Sequence, residues 1–547
     1  MQGGGAVQSE SFSESEKRII EPYFTNLDRN IFVLKNLPEV IMGTLFSRYS
    51  RSDKSVRRLL LDEFISNKDI FTFDGNASNA SVLAQEKAEQ FYERVLVGYG
   101  DDSVAELAGT HIACEGISSL VGDYLTDSRI GISPLEKSAR YVLFDKKVNG
   151  RYLWYREPKI MESKYGTDYE RLMDKIFDLY SKWIPITMSY VKEVTPRDPT
   201  ATDRAFDSAC RAKSCDILKN MFTPSRLTNV GLFGNGRAFE YLVTKLYSSG
   251  LSEAVDVGKS IHEELSKVLP SFVKRAQESE YIVNRRKDME AFAMGQALPV
   301  TPNESSYVKL VDYDRDGEDN ILTAMLYPYS QAGLQQLKEF VMTMPKEKKR
   351  ELIAAYMSRR KNRRDKAGRA LENLYYTFEV CSNYGMFRDL HRHRVLTMER
   401  QILTANLGYD LPKELAQVGL DKEYGSLMDE AKELYAKMAK EMPLEAQYVV
   451  PRSFHCRYYM KLNLREMHHL TELRSQKQGH PDYRKIAQQM KTEISKSHPE
   501  LTNHMFVDMN EYALARLESE KRIDEKMEKL KQKEREKDKV QEQRKEK

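Results

Sequence analysis

The feature of this 547-residue sequence that most limits its fold is a weak internal repeat. The Asn-Gly-Arg triplet at 235–237 is echoed by Asn-Leu-Arg at 463–465, and each follows a β-like run and opens a helix with periodic apolar residues. The runs at 45–50 and 326–330 form a second pair in the same order. A repeat that keeps its order predicts two related domains, although short pairs like these also arise by chance.

The length agrees with two domains, because 547 residues are too many for one simple hydrophobic core. The tail is almost entirely Glu, Lys, Arg, Gln and Asp, which predicts a solvated helix, since a coiled coil would need a longer apolar seam. The predicted organisation is a flexible lead-in at 1–16, a first domain at 17–295, a linker at 296–306, a second domain at 307–510 and the charged tail at 511–547.

Composition excludes several classes of protein. Hydrophobic residues make up 41% and charged residues 31%, which predicts a globular body with a polar surface. The net charge of +4 does not call for a nucleic-acid partner. Five cysteines without a CxxC pair argue against a disulfide framework and favour a cytoplasmic location. No apolar run approaches the roughly 18 residues that span a bilayer, so no membrane partner is expected.

The periodicity of apolar residues predicts mostly helices with β-rich runs between them, which is typical of α+β domains. The predicted helices are 55–65, 85–97, 103–126, 169–194, 371–390 and 421–442. The predicted strands are 140–144, 227–233, 309–313 and 457–462.

A dense group of hydrogen-bond donors follows the helix predicted at 371–390. Arg392 and Arg394 flank His393, and guanidinium donors suit phosphates and the carbonyl edges of heterocycles. Taken alone, such a triplet is more often a solvated basic loop.

A second set of donors lies on one predicted helix near the end of the second half. Asn463 and Arg465 open this helix, His469 shares a face with Arg465, and Arg474 lies near its end. An amphipathic helix with a polar exposed side explains the spacing equally well.

The first half carries two weaker candidates. Ser103 caps a predicted helix start that also bears Glu106, and such a start offers backbone N–H groups to an anion. Downstream, Ser138 and Arg140 follow Glu136 on a predicted turn before a strand, and these two residues form a plausible phosphate grip. Helix capping and an ordinary surface loop are the alternatives.

In this order, these pieces resemble the flavin-dependent thymidylate synthase (ThyX) family over roughly residues 30–506, once in each half. The family signature is Arg-His-Arg, a short spacer and Ser-x-Arg, with a downstream Asn-x-Arg helix that ends in a substrate-binding Arg. The resemblance implies an α+β fold of two tandem ThyX-like domains, in which helices pack on a small, mainly antiparallel sheet.

The two halves depart from the signature in complementary ways. The second half keeps Arg-His-Arg at 392–394 but has Ile402 and Thr404 in place of Ser-x-Arg. The first half has Asp-Ser-Arg at 127–129 in place of the triplet, keeps the Ser-x-Arg element at 138–140, and has Leu246 where the substrate Arg would stand. The resemblance therefore implies one composite site from both halves, and a homodimer that mimics the tetramer of the family.

The resemblance also implies roles for individual residues. Arg474 would be the catalytic residue and would bind substrate. The other implied substrate-binding residues are Arg392, Glu136, Ser138, Arg140 and Lys219, where a one-residue slip would replace Lys219 by Asn220. The implied cofactor-binding residues are Ser103, Glu106, Arg392, His393, Arg394, Asn463, Arg465 and His469.

The activity implied is the reductive methylation of dUMP to dTMP, with FAD as cofactor and methylenetetrahydrofolate and NADPH as co-substrates. A flavin- or nucleotide-binding homologue without activity remains open, because both halves have lost signature residues. A zinc site in which His391 and His393 meet His468, His469 and Cys456 is a weaker alternative, since no HExxH or paired CxxC is present. The basic run at 358–366 leaves a nucleic-acid enzyme open as a further alternative function.

Overall fold

The computed structural model describes residues 11–50, 52–65, 105–128, 130–138, 142–296, 298 and 305–545. The predicted helix at 85–97 and the candidate residues Ser103 and Arg140 lie outside these ranges. The chain divides into two compact units. The first unit comprises Met1–Ile117, Val121–Glu136 and Thr228–Leu298, and the second comprises Ser118–Leu120, Lys137–Leu227 and Pro299–Lys547.

The first unit contains a three-stranded sheet in the order β1-β3-β2, in which β2 pairs antiparallel with β3. The strands are β1 (Gly109–Ser118), β2 (Ile132–Glu136) and β3 (Leu227–Asn235). The helices are α1 (Glu14–Ile20), α2 (Glu39–Tyr49), α3 (Val56–Leu59, continued by a π-helical turn at Leu60–Ile65), α4 (Ser119–Thr126), α8 (Gly236–Tyr247), α9 (Ser252–Ser266), α10 (Pro270–Val273) and α11 (Glu280–Met294).

The second unit contains a four-stranded antiparallel sheet in the order β4-β5-β7-β6. The strands are β4 (Tyr307–Tyr313), β5 (Tyr375–Asn383), β6 (Thr397–Arg400) and β7 (His455–Asn463). The helices are α5 (Pro158–Met161), α6 (Gly166–Val194), α7 (Asp203–Leu218), α12 (Gly317–Leu326), α13 (Leu334–Thr343), α14 (Lys346–Met357), α15 (Tyr384–Leu390), α16 (Lys413–Gln417), α17 (Asp421–Met438), α18 (Leu464–Arg474), α19 (Pro481–Ser497), α20 (Pro499–Thr502) and α21 (Leu517–Lys545).

The two compact units do not coincide with the two halves of the sequence. Helices α6 and α7 come from the first half of the chain, but they belong to the second unit. The boundaries 17–295 and 307–510 therefore describe a repeat in sequence, and as domain boundaries they stay a prediction.

The mixture of helices and small sheets confirms the α+β prediction, but two predicted helices are only partly right. The range 371–390 contains the strand β5 before the helix α15, and the described part of 103–126 contains the strand β1 before the helix α4. Tyr376, Phe378 and Val380 on one face of β5 are fully buried, and Cys381 and Asn383 on the other face are buried too. Burial alternates over 375–380, whereas 380–383 are all buried and lead directly into α15, so the apolar positions of the strand and of the helix together imitate one helical period.

The other predicted elements fare better where the structure describes them. The predicted helices at 55–65, 169–194 and 421–442 correspond to α3 with its π-helical turn, to α6 and to α17. The strands predicted at 227–233, 309–313 and 457–462 lie within β3, β4 and β7. The strand predicted at 140–144 is wrong in its described part, because residues 142–144 form no strand.

Helix α6 packs against α7 and α17 in the second unit. Its buried stripe includes Leu172, Ile176 and Trp183, and each fully buried large apolar side chain contributes roughly 1.5–3 kcal/mol to folding. Although α6 has 29 residues, no helix among the described residues has both the length and the apolar character needed to cross a bilayer.

The charged tail forms the helix α21, as predicted, and its first turns pack on α7. Arg204 on α7 forms ion pairs with Glu520 and Asp524, and Lys521 contacts Asp198 at 2.9 Å. Leu517 is buried there, whereas Leu530 is 61% exposed. The anchored part of the tail therefore ends before residue 530.

Two truncations test this division of the tail. We expect a chain ending at residue 529 to keep the melting temperature of the full chain, because residues 530–538 are exposed. A chain ending at residue 512 should melt several degrees lower, since it loses buried Leu514 and Leu517 together with the ion pairs to Arg204. Differential scanning calorimetry measures both, and equal losses would contradict the assignment.

Candidate active site

The Arg-His-Arg loop is positioned by a short capped helix at the end of β5. Asn383 is the last residue of β5, and its side-chain oxygen accepts a hydrogen bond from Met386 N at 3.1 Å, which caps α15. The helix ends at Leu390, so 391–394 emerge at its carboxyl end beside the sheet. His393 is only 6% exposed, which excludes the interpretation of the whole triplet as a solvated loop.

His393 lies in a chain of hydrogen bonds between two residues of α18. Arg474 Nε donates to His393 Nε2 at 3.0 Å, and His393 Nδ1 lies 2.7 Å from Glu466 Oε1. An arginine N–H is always a donor, so Nε2 must be the accepting nitrogen. The proton of the neutral ring is therefore on Nδ1 and is donated to Glu466. We call this arrangement the Arg474–His393–Glu466 chain.

Burial shifts the proton affinities of this chain. Desolvation lowers the pKa of His393 well below its ordinary value, and the neighbouring Arg474 cation lowers it further. Burial raises the pKa of the Glu466 carboxyl to about 7, against the opposing effect of nearby His469, Lys366, Arg465 and Arg474. His393 is thus a neutral imidazole at pH 7, and Glu466 titrates near that pH.

Arg474 and His469 complete the cluster. The Arg474 guanidinium lies 5.5 Å from the ring centroid of Tyr483 on α19, so it is held by a ring as well as by His393. The His469 ring lies 5.4 Å from the His393 ring and is half-buried on α18. Of the predicted site residues, the fold therefore brings together His393, His469 and Arg474. Glu466 was not among the predicted residues.

Glu466 was missed because its spacing suggests only a helix cap. It stands three residues after Asn463, where an acidic residue normally supports the start of a helix. Its side chain points to His393, which is 73 residues away in sequence. Only the packing of α18 on the loop reveals this contact.

Asn463 and Arg465 have local roles in the structure. Asn463 caps α18 by accepting a hydrogen bond from Glu466 N at 2.9 Å, and Arg465 donates to Ala367 O and pairs with Glu372. Asn235 caps α8 after β3 in the same way, through Ala238 N at 2.8 Å. The repeated Asn-x-Arg triplets therefore share a strand–cap–helix geometry.

Substitution of Asn463 separates capping from any other role. We expect Asn463→Ala to cost about 1 kcal/mol in the free energy of unfolding, because a helix start loses its cap. Asn463→Asp keeps a capping oxygen but loses the amide donors, so it should retain most of the stability. Urea denaturation measures both variants, and an equal loss in each would contradict the capping role.

His393, Glu466 and His469 also place three potential metal ligands within 4.8 Å of one another. Both nitrogens of His393 are engaged, one accepting from Arg474 and the other donating to Glu466. No lone pair of His393 is left for a metal ion in this arrangement. Cys456, which the zinc alternative required, is absent from this group of ligands, the one such group among the described residues.

The candidate residues of the first half have other surroundings. In the first unit, Glu106 pairs with Arg237 at 2.9 Å, and Glu136 on β2 accepts from Thr228 Oγ1 at 3.0 Å. In the second unit, Ser138 lies just after β2 in sequence, and buried Lys219 pairs with Asp216 at 3.2 Å. The predicted contributions of these residues to a composite site stay predictions, as do those of Arg392 and Arg394.

The second unit also contains a cavity of about 830 Å³ that the sequence did not suggest. Asn383 Nδ2 lies at its wall and donates to Asp410 at 2.7 Å and to Asp482 at 3.2 Å. Asn220 lines this cavity, whereas Lys219 does not. The two carboxylates are 72 positions apart, so no local motif could have marked them.

A smaller cavity of about 590 Å³ lies in the first unit. It is lined by Asn235 and Arg237 of the first Asn-x-Arg triplet, and by Glu106. The Glu106–Arg237 ion pair compensates the arginine charge there.

Comparison with known proteins identifies the family. A family model described as thymidylate synthase complementing protein (Thy1) matches residues 57–271 and 309–500, which together exceed half of the chain. The chain belongs to the Thy1 family. The two matched segments of this Thy1 protein agree with the two occurrences of the ThyX resemblance in its sequence.

Its curated relatives match over nearly their full length. A UPF0159 protein of Chlamydia muridarum is 40% identical, over 93% of this chain and 98% of the relative. A UPF0159 protein of Thermoplasma acidophilum is 32% identical, over 88% of this chain and 98% of the relative. A solved UMP/dUMP methylase of Streptomyces cacaoi, bound with 5-Br dUMP, is 18% identical with a TM-score of 0.30, over 38% of this chain and 96% of that one. A score this low does not establish a shared fold.

Proposed function

We propose that this Thy1 protein converts dUMP to dTMP by flavin-dependent reductive methylation, with methylenetetrahydrofolate as carbon donor and NADPH as reductant. Family membership supports the reaction class. The observation that carries the proposal is the Arg474–His393–Glu466 chain, because it joins the Arg-His-Arg loop to the Asn-x-Arg helix through buried hydrogen bonds.

Arg474 is proposed to act on the pyrimidine ring. The C5 carbon of uracil must become electron-rich before it can accept a carbon, and a cation at the ring edge favours the N3-deprotonated form. A guanidinium keeps its charge at any working pH, so it stabilises this form as a fixed charge and not as a base. His393 and Tyr483 hold Arg474 in place beforehand, which removes the cost of orienting it during the reaction.

The chemistry of the donor set fits a flavin. Arg465 and His469 lie four residues apart on α18, so they share a face, and both are half-buried. They would offer N–H donors to the carbonyl edge of the ring system, together with Arg394 and Asn463, and Arg392 would reach a phosphate. Both nitrogens of His393 are engaged, so His393 would act by packing beside the flavin and by holding Arg474. A bound flavin would supply the redox and carbon-transfer chemistry, so no protein nucleophile is needed.

The two Thy1 segments and their matching Asn caps also support a diverged tandem pair. In this proposal Glu136, Ser138, Arg140 and Lys219 of the first half would bind substrate, with Ser103 and Glu106 near the flavin. Two chains would assemble four ThyX-like segments, and a dimeric mass by light scattering is expected. A strict monomer would count against the composite site.

Binding of flavin or nucleotide without catalysis is the second candidate function, and a specific observation favours it. Asn463 is engaged in capping, and Arg465 in contacts with Ala367 and Glu372. These contacts leave fewer donors of Asn463 and Arg465 for catalysis, which a protein that binds flavin or nucleotide without turnover does not need.

The experiment that separates these functions begins with an absorbance spectrum of the purified protein. Bands near about 375 and 450 nm would indicate oxidised flavin. NADPH oxidation is then followed with dUMP and methylenetetrahydrofolate present, and dTMP is measured. Product formation would support the enzyme, flavin without product would support the binder, and failure to take up FAD would overturn both.

A further inference from the structure

A loop rich in unpaired cations lies beside α18. We define the basic loop as residues 358–366, between α14 and the 3-10 turn at Arg369–Asn373. Five of its cations form no ion pair in the described part of the chain: Arg359, Lys361, Arg363, Arg364 and Lys366. Exposed like charges repel one another, so a cluster without acidic partners is electrostatically costly unless an anion binds it.

Hydrogen bonds within the basic loop fix its shape. The one acidic side chain of the loop, Asp365, accepts from Lys361 N at 2.7 Å and from Asn362 N at 3.3 Å. Asn362 in turn accepts from Arg364 N at 2.9 Å. The carboxylate therefore holds the backbone of the loop and forms no ion pair with the exposed cations.

Arg360 anchors the basic loop to α18. Its guanidinium is buried, contacts Glu472 at 2.7 Å and His468 at 2.9 Å, and lies over the Phe506 ring. This sixth cation is thus structural, and it holds the other five at a fixed position relative to the helix that carries Arg474.

The end of the basic loop reaches the candidate active site. Ala367, which follows Lys366, accepts a hydrogen bond from Arg465 Nε at 2.9 Å. Lys366 is also close to His469, since after the larger effect of burial and of other neighbours its charge helps to lower the pKa of that ring. The unpaired cations therefore lie next to the face of α18 that carries Arg465 and His469.

We propose that the basic loop is an anion subsite beside the Arg474–His393–Glu466 chain. It takes a polyanionic group of at least two phosphates or carboxylates, carried by a ligand that reaches α18. This inference rests on the proposed function only in that the neighbouring site binds a ligand. The anion would come either from phosphates of a nucleotide or from an oligoglutamate extension, and the same cations suit both.

The test compares two variants of the full chain with equal net charge. The loop variant carries Lys361→Gln, Arg363→Gln, Arg364→Gln and Lys366→Gln. The control variant carries Lys529→Gln, Lys531→Gln, Lys533→Gln and Arg535→Gln on the exposed part of α21. Each variant lowers the formal net charge from +4 to 0, so their long-range electrostatics are matched.

Titration calorimetry with inorganic triphosphate and with tetraglutamate is the measurement, at low and at high salt. We expect the loop variant to bind one of these probes at least about ten-fold more weakly than the native chain at low salt, and the control variant to change less than about two-fold. Binding of triphosphate alone would indicate a phosphate source, and binding of tetraglutamate alone a carboxylate source.

Three results would overturn the proposal. The first is equal binding by the loop and control variants, and the second is no binding of either probe to the native chain. The third is tighter binding of a short RNA than of either probe, lost in the loop variant, which would assign the loop to nucleic acid. Because no turnover is measured, an inactive protein that passes this test would remove the proposed function and leave the anion subsite.

Discussion

Replacing Arg474 by alanine should lower dUMP turnover by about 100- to 1000-fold while the protein stays folded. The guanidinium is proposed to stabilise the charge that develops on the pyrimidine, and removal of one such oriented donor typically costs this much. Arg474→Lys should recover little of the rate, because an ammonium cannot donate to His393 with the same planar geometry. Steady-state dTMP formation is the measurement.

The control for this prediction is Arg369→Ala, which removes an arginine whose side chain is 86% exposed. It should leave turnover unchanged. Circular dichroism and the melting temperature check that Arg474→Ala is folded, since His393 Nε2 loses its donor in that variant. Full activity of a folded Arg474→Ala protein would remove Arg474 from the mechanism.

Replacing Glu466 by glutamine should stabilise the protein at high pH and have little effect at low pH. The pKa of Glu466 rises from 4.5 to about 7 on folding, so the carboxyl ionises more easily in the unfolded chain. Its contribution to the free energy of unfolding therefore falls as pH rises from about 4.5 to about 7, by about 3 kcal/mol at most. Glutamine has the same shape and still accepts from His393 Nδ1, but it cannot ionise.

The melting temperatures of the native chain and of Glu466→Gln should be measured from pH 5 to pH 8. We expect them to coincide near pH 5 and to diverge by several degrees at pH 8. The lowered pKa of His393 acts in the opposite direction, because stability is lost as pH falls below the value of the unfolded chain. The imidazole of His393 is neutral in both the folded and the unfolded chain well above its ordinary pKa of 6.5, so the divergence between pH 7 and pH 8 reports Glu466. Parallel curves, as expected for exposed Glu433→Gln, would contradict the assignment.

The secondary structure could be predicted where an element has one buried face. Helix α6 shows the expected apolar stripe, and β7 alternates between buried and more exposed residues along much of its length. The sequence failed at β5, because residues 380–383 of this inner strand are buried on both faces and run directly into α15. Burial on both faces is a property of the neighbours of a strand, which its own residues do not encode.

The chemical character of the candidate site followed from motifs. Arg-His-Arg at 392–394 and Asn-x-Arg at 463–465 indicated donors for phosphates and heterocycles, and family membership agrees with that interpretation. The sequence also predicted the tail as a helix. These features are local, because a few adjacent residues decide each of them.

Only the tertiary structure decided which residues act together. Glu466 was not among the predicted site residues, yet its carboxyl lies 2.7 Å from His393. Asp410 and Asp482 meet at Asn383 from distant positions, and Asp365 leaves the cations of the basic loop unpaired by binding its backbone. The sequence determined which groups are available, but proton positions and charge compensation depend on distances of a few ångströms, and these are set by packing.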